Sequence, residues 1–212
     1  MKKLPFYICL LTAVLCLSCS ENKDGEDEYA NWTERNDLYF ASLQDSLQAN
    51  PAQWRRIKSI YLDQNSEGKA TDYVYVKVIE SAPATDNPQA ADSVLHTDSV
   101  RIMYQGRTIP TASYPQGYVF DGTVYGDYAS PTNATAKLRV ASCVDGMATV
   151  LQHMTRGDHW RIYIPSELGY GEQNMGNSGI PPHSVLIFEL TLVDFCRAGE
   201  SLPVWSSRQR GR

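Results

Sequence analysis

The stretch at residues 184–195, SVLIFELTLVDF, limits the fold more than any other part of this chain. Leu186, Phe188, Leu190 and Leu192 alternate with Glu189, Thr191 and Val193. An extended strand with that pattern is apolar on one side and mixed on the other. It needs partner strands beside it and a layer over its apolar side. Directly before it runs LGYGEQNMGNSGIPP, residues 168–182, with four glycines and an Ile-Pro-Pro corner. That loop has no phosphate-binding lysine and no metal-ligand spacing, so its glycines serve another purpose.

Other segments repeat the alternation. YVYVKVI (73–79) places Val74, Val76 and Val78 on one face, and SVRIMYQG (99–106) does the same with Val100, Ile102 and Tyr104. HWRIYIP (159–165) points Trp160, Ile162 and Ile164 inward. GYVFDGTVYG (117–126) reads as a strand and turn, AKLRV (136–140) as a short strand, and the proline-rich 81–92 as a loop. Within CVDGMATVLQHMTRG, Val144, Met147, Leu151 and Met154 share a helical face, and Gly157 is expected to supply the left-handed stop. The predicted class is α+β: an antiparallel β-sheet wrapped over one short α-helix, with a small N-terminal helical segment.

That segment begins near Asn31, which with Glu34 predicts a capping box. Trp32, Tyr39, Phe40, Leu43 and Leu47 follow at helical spacing. Asn50-Pro51 ends the helix, and Trp54, Ile57 and Tyr61 predict a second one. The pair is expected to cap the main domain; pairing two copies into a homodimer is the alternative use.

The first residues stand apart. MKKLPFYICLLTAVLCLSCS has two lysines, an apolar run and then Cys19, a leader pattern too short for a comfortable membrane span. CLSC resembles a bacterial lipoprotein cleavage site, with Cys16 where leucine is usual; Cys19 is the expected lipidated residue and membrane anchor. An ordinary secretory leader is the rival reading. SENKDGEDE (20–28) reads as a solvated acidic tether, and acidic stretches after the cysteine also mark some surface-exported lipoproteins. The expected organisation is a leader at 1–18, a tether at 19–30, a helical segment at 31–71, a main domain at 72–196 and a tail at 197–212, located at the cell envelope.

Charge and side-chain inventory exclude several classes. The formal net charge is −5, and losing Lys2 and Lys3 with the leader makes it more negative, which argues against nucleic acid as a partner. The four histidines, 96, 153, 159 and 183, share no ligand spacing, so neither a metal nor a cofactor is expected. Of five cysteines, only Cys143 and Cys196 lie in the main domain. Cys143 sits at the helix start, while Cys196 is about 26 Å past Phe188 at ~3.3 Å per residue. A disulfide needs Cα atoms within about 7 Å, so two free thiols are expected.

Five ordered elements carry a resemblance. VRIMYQG, VFDGT, the CVDGMATVLQHMTRGDHWRIYIP helix and strand, LGYG and GIPPHSVLIFELTLVDF together resemble the FKBP-type peptidyl-prolyl cis-trans isomerases over about residues 72–195. The resemblance implies proline-containing polypeptides as substrates and a pocket for the prolyl ring. It places Tyr104, Phe120, Asp121, Tyr170 and Phe188 as catalytic residues, and Cys143, Val144, Met147, Gly169 and Ile180 as substrate-binding ones. Three departures stand out. Met147 replaces the family's floor tryptophan, alanines in TNATAKLRV replace a pocket phenylalanine, and RTIPTASYPQGY (107–118) is inserted.

The residue types suit the reaction. Rotating an X–Pro bond costs about 20 kcal/mol because amide resonance is lost. No bond breaks, so no nucleophile or metal is needed. A dry cup favours the twisted amide, whose carbonyl is less polar than the planar one. The Val144 N–H and the Tyr170 hydroxyl can hold substrate carbonyls, and Asp121 can polarise one wall or orient Tyr104, without proton transfer. Taken singly, Phe188, Ile180 and Val144 are equally well read as core, and Asp121-Gly122 as a turn. A non-catalytic, proline-recognising chaperone or adaptor on the same scaffold is the rival function.

Overall fold

The alternating stretches become the strands of one sheet. In the computed structural model, which describes residues 27–82, 93–126, 128 and 133–204, they run in the order α1 (Trp32–Ala49), β1 (Trp54–Lys58), β2 (Tyr73–Glu80), β3 (Ser99–Arg107), β4 (Val119–Gly122), β5 (Ala136–Arg139), α2 (Asp145–Leu151), β6 (His159–Ile164) and β7 (Leu186–Cys196). The expected leader, Cys19, most of the tether, most of the 81–92 loop and residues 205–212 lie outside the described residues. The chain divides into two units, Met1–Ala30 and Asn31–Arg212, and the second holds every element above.

The sheet order is β1-β2-β6-β7-β3-β4, with β5 also paired to β3. Every pairing is antiparallel. On the inner face α2 packs against Val74, Val76, Ile102, Ile162, Ile164, Leu186 and Leu190, all sealed from solvent. Each such side chain contributes roughly 1.5–3 kcal/mol by leaving water. This is the predicted α+β arrangement.

The outer face is covered in part by α1, whose buried residues Trp32, Asn36, Phe40 and Leu43 form one helical stripe. Phe40 meets Tyr75 edge-on at 5.1 Å, and the Tyr75 hydroxyl donates to Gln44 Oε1 at 2.8 Å. Two further hydrogen bonds tie α1 to the segment entering β7. Trp32 Nε1–H donates to Ser184 Oγ (2.9 Å), and the Val185 N–H donates to Asn36 Oδ1 (2.8 Å). The stripe is therefore satisfied within the chain.

Four local expectations are corrected. Asn31 adopts a left-handed conformation, φ 51°, and its side chain makes no cap, so there is no capping box. A short polar side chain tolerates that region. Residues 54–58 form β1 and not a second helix. Trp54 through Lys58 pair with Lys77 through Tyr73, and that ladder outweighs the local helical spacing. Helix α2 stops at Leu151, before the expected Met154. Gly157 is left-handed, φ 98°, but shapes the turn into β6, donating its N–H to the Leu192 carbonyl.

Candidate functional site

Antiparallel pairing brings the inner-face residues of β3, β4 and β7 together. Gly106 pairs with Phe188, Tyr104 with Leu190, and Gly106 with Asp121 on the other side. The Phe188 ring then meets Phe120 edge-on at 5.5 Å and lies 6.3 Å from Tyr104. Gly106 makes this possible. A Cβ there would lie 2.6 Å from Phe120 Cε2 and 2.7 Å from Phe188 Cε1, so any side chain would drive the two rings apart. Sequence reasoning treated Gly106 as motif only; a glycine inside a strand was the signal of close approach.

Tyr104, Met147, Ile180 and Phe188 are all buried in the core cluster and form the floor. Phe120, Cys143, Val144 and Tyr170 pack against that cluster while remaining half-buried, and form the rim. Gly169 sits at the edge, backing onto Leu186 and directly preceding Tyr170. Eight of the ten residues singled out from sequence thus belong to or pack against one core cluster, Asp121 is tied to it through Tyr104, and Gly169 directly precedes Tyr170.

One short hydrogen bond crosses it. The Tyr104 hydroxyl donates to Asp121 Oδ2 at 2.6 Å, and Asp121 Oδ1 accepts the Gly122 N–H at 2.8 Å. Burial, then the bond to Asp121, push the Tyr104 hydroxyl above its ordinary range, so it remains a donor. Burial also raises Tyr170, with the nearby Asp121 charge adding to it. Among the described residues the Tyr170 hydroxyl and the Val144 N–H make no hydrogen bond. Cys143 and Cys196 are free thiols, and burial pushes Cys143 up to about 11. The Cys143 thiol is therefore protonated at neutral pH and a poor nucleophile.

The glycine-rich segment packs on this cluster through Tyr170, Met175 and Ile180. Met175 and Ile180 pair as an isolated bridge, and the His183 N–H donates to the Gly171 carbonyl at 2.8 Å, pinning both ends. The 107–118 insertion reaches the same segment. Its Tyr118 ring lies where a Cβ on Gly179 would be 2.4 Å from Cε1, and Gly179 is left-handed at φ 71°. Sequence analysis gave Tyr118 no role.

A family model described as FKBP-type peptidyl-prolyl cis-trans isomerase matches residues 91–193. Over those residues the chain is similar to the FKBP family. The FKBP-type 22 kDa peptidyl-prolyl cis-trans isomerase of Escherichia coli is 37% identical to it over 98 residues, 46% of this chain and 41% of that protein. The outer membrane protein MIP of Legionella longbeachae is 32% identical over 82 residues, 39% of this chain and 34% of its own length. The chain therefore spans less than half the length of these relatives. A crystal structure of a peptidyl-prolyl cis-trans isomerase from Pseudomonas syringae pv. tomato superposes with a TM-score of 0.53 at 20% identity, covering 78% of this chain and 96% of that one. That likeness shows the shared fold.

Proposed function

We propose that the protein is a peptidyl-prolyl cis-trans isomerase of the bacterial cell envelope, anchored through a lipid on Cys19, that assists the folding of exported polypeptides. The observation that supports the enzymatic part is the aromatic cluster of Tyr104, Phe120 and Phe188, with the Tyr104 hydroxyl bonded to Asp121. The relative called an outer membrane protein supports the envelope, and the leader pattern ending at Cys19 supports the anchor.

In this reading the prolyl ring enters between Phe120, Ile180 and Phe188 and sheds water. The twisted amide, having lost resonance, has a less polar carbonyl and tolerates the dry site better than the planar form does. The Val144 N–H holds a neighbouring substrate carbonyl, and the Tyr170 hydroxyl holds another. Asp121 orients Tyr104 as a wall and transfers no proton. A protease-coupled assay on a proline tetrapeptide, using the chain without residues 1–19, tests this. Turnover is expected, and a Tyr170→Phe/Asp121→Ala double variant, which removes one donor to a substrate carbonyl and the partner of Tyr104, is expected to lower it about tenfold or more.

Met147 on the floor favours a second reading. A flexible thioether makes an adaptable binding surface. Binding of unfolded clients without turnover would make the protein a proline-recognising adaptor.

A further inference from the structure

We infer that the outer face of the sheet carries a second ligand site, built for a small organic anion with a flat apolar body. A cavity of about 480 Å³ lies between α1, the outer sides of β3, β6 and β7, and the inserted loop at Pro110 and Gln116. Its size falls in the range typical of small-molecule sites, roughly 300–1,000 Å³. It is distinct from the aromatic hollow. Gln105, Arg107, Ile187 and Glu189 line the cavity, whereas Tyr104, Gly106 and Phe188 on the same strands face the hollow.

The polar groups of this cavity are mostly donors. Arg107 Nε and Nη2 donate to Gln105 Oε1 at 3.0 and 2.6 Å, and Nη1 donates to the carbonyls of Gln116 and Gly117. All these acceptors are neutral, so among the described residues Arg107 has no carboxylate partner. Gln105 is fixed in that orientation because its Nε2 donates to the Val124 carbonyl at 2.7 Å. Across the cavity, Arg161 uses Nε and Nη2 on Glu189. The other oxygen of Glu189 is bonded to His159 Nε2 at 3.0 Å. Among the described lining residues Glu189 is the one carboxylate, and its oxygens are already occupied by Arg161 and His159. Tyr39 and Tyr163 are held protonated by burial, Tyr39 at about 12, so their hydroxyls are also donors. A donor-rich cavity with its acceptors already committed selects an oxyanion. The positive spot is local, since the chain as a whole carries −5.

The walls set the rest of the ligand. The rings of Tyr39, Tyr128 and Tyr163 and the Ile187 side chain offer flat apolar area. Two of these rings are held by stacking. Trp54 stacks on Tyr163 at 5.4 Å with planes 20° apart, and Tyr128 stacks on His159 at 4.4 Å and 13°. A site whose donors and rings are already fixed loses little entropy on binding. Carboxylate and phosphate monoester share the chemistry required.

The test is an amide NMR titration of the full ¹⁵N-labelled chain with hippurate, phenyl phosphate and uncharged hippuramide. Saturable shifts at Gln105, Arg107 and Tyr163 are expected with at least one anion, and the responding anion distinguishes carboxylate from phosphate. Hippuramide is expected to bind at least tenfold more weakly. Arg107→Gln should weaken the anion about tenfold, Arg107→Lys should retain part of the binding, and Glu189→Gln should strengthen it. The inference is overturned if neither anion saturates, if hippuramide binds equally, if Arg107→Gln changes nothing, or if the shifts fall on Phe120, Ile180 and Phe188 instead.

Discussion

Strands β3 and β7 present two opposite chemistries a single peptide apart. Inward, Tyr104, Gly106 and Phe188 build a buried aromatic cluster, beside which the exposed Asp121 accepts from Tyr104. Outward, Gln105, Arg107 and Glu189 build a polar row, with Arg161 from β6 paired across to Glu189. The contrast separates two jobs. Under the proposed function, a reaction that only rotates a bond is served by excluding water, while fixed charge is kept on the side where it can be paired and solvated.

The largest expected effect breaks the inner side. Phe188→Ala removes the ring shared by Phe120 and Tyr104, and should cost about 3–5 kcal/mol in urea unfolding while reducing isomerisation to background. Next comes Gly106→Ala, which adds one methyl where the two rings nearly touch. It should cost about 1–3 kcal/mol by overpacking and lower kcat/KM more than stability alone explains. The smallest effect sharpens the outer side through pH. Hydrogen bonding from His159, then the Arg161 pair, hold the Glu189 carboxyl at about 2, below its ordinary 4.5. A depressed folded value means stability that is full above about 4.5 and lost as pH falls towards 2. Discounted for solvent screening, the contribution is about 1–2 kcal/mol. Urea midpoints measured from pH 6 to pH 2 should decline less steeply in Glu189→Gln than in the parent. An equal decline in both would show that the outer pair does not stabilise the fold.

The inner side was readable in the sequence because its residues recur in fixed order along strands with clear alternation. Val74 and Val76, Trp160 and Ile162, and Leu186 through Leu192 declare their face by period alone. That Tyr104, Phe120, Tyr170, Ile180 and Phe188 gather at one cluster was legible only from motif order, which carries long-range geometry that no local pattern holds. β1 was hidden because Trp54, Ile57 and Tyr61 fit a helical period, and only pairing with β2 selects the strand. Tyr118 was hidden because its partner, Gly179, lies far along the chain. The outer cavity was hidden for a deeper reason. Tyr39, Arg107, Arg161 and Glu189 come from four separate elements, and no spacing in the chain foretells their meeting.

The family match begins at residue 91, yet the sheet does not. β2 pairs with residues 159–163 of β6, and β1 pairs with β2. A shortened protein started at the homology boundary would strip both away and turn the 159–163 backbone into a bare, sticky margin open to intermolecular strand addition. The smallest portion worth expressing therefore begins with the Trp32 helix, about sixty residues upstream of where sequence kinship alone would place the scissors.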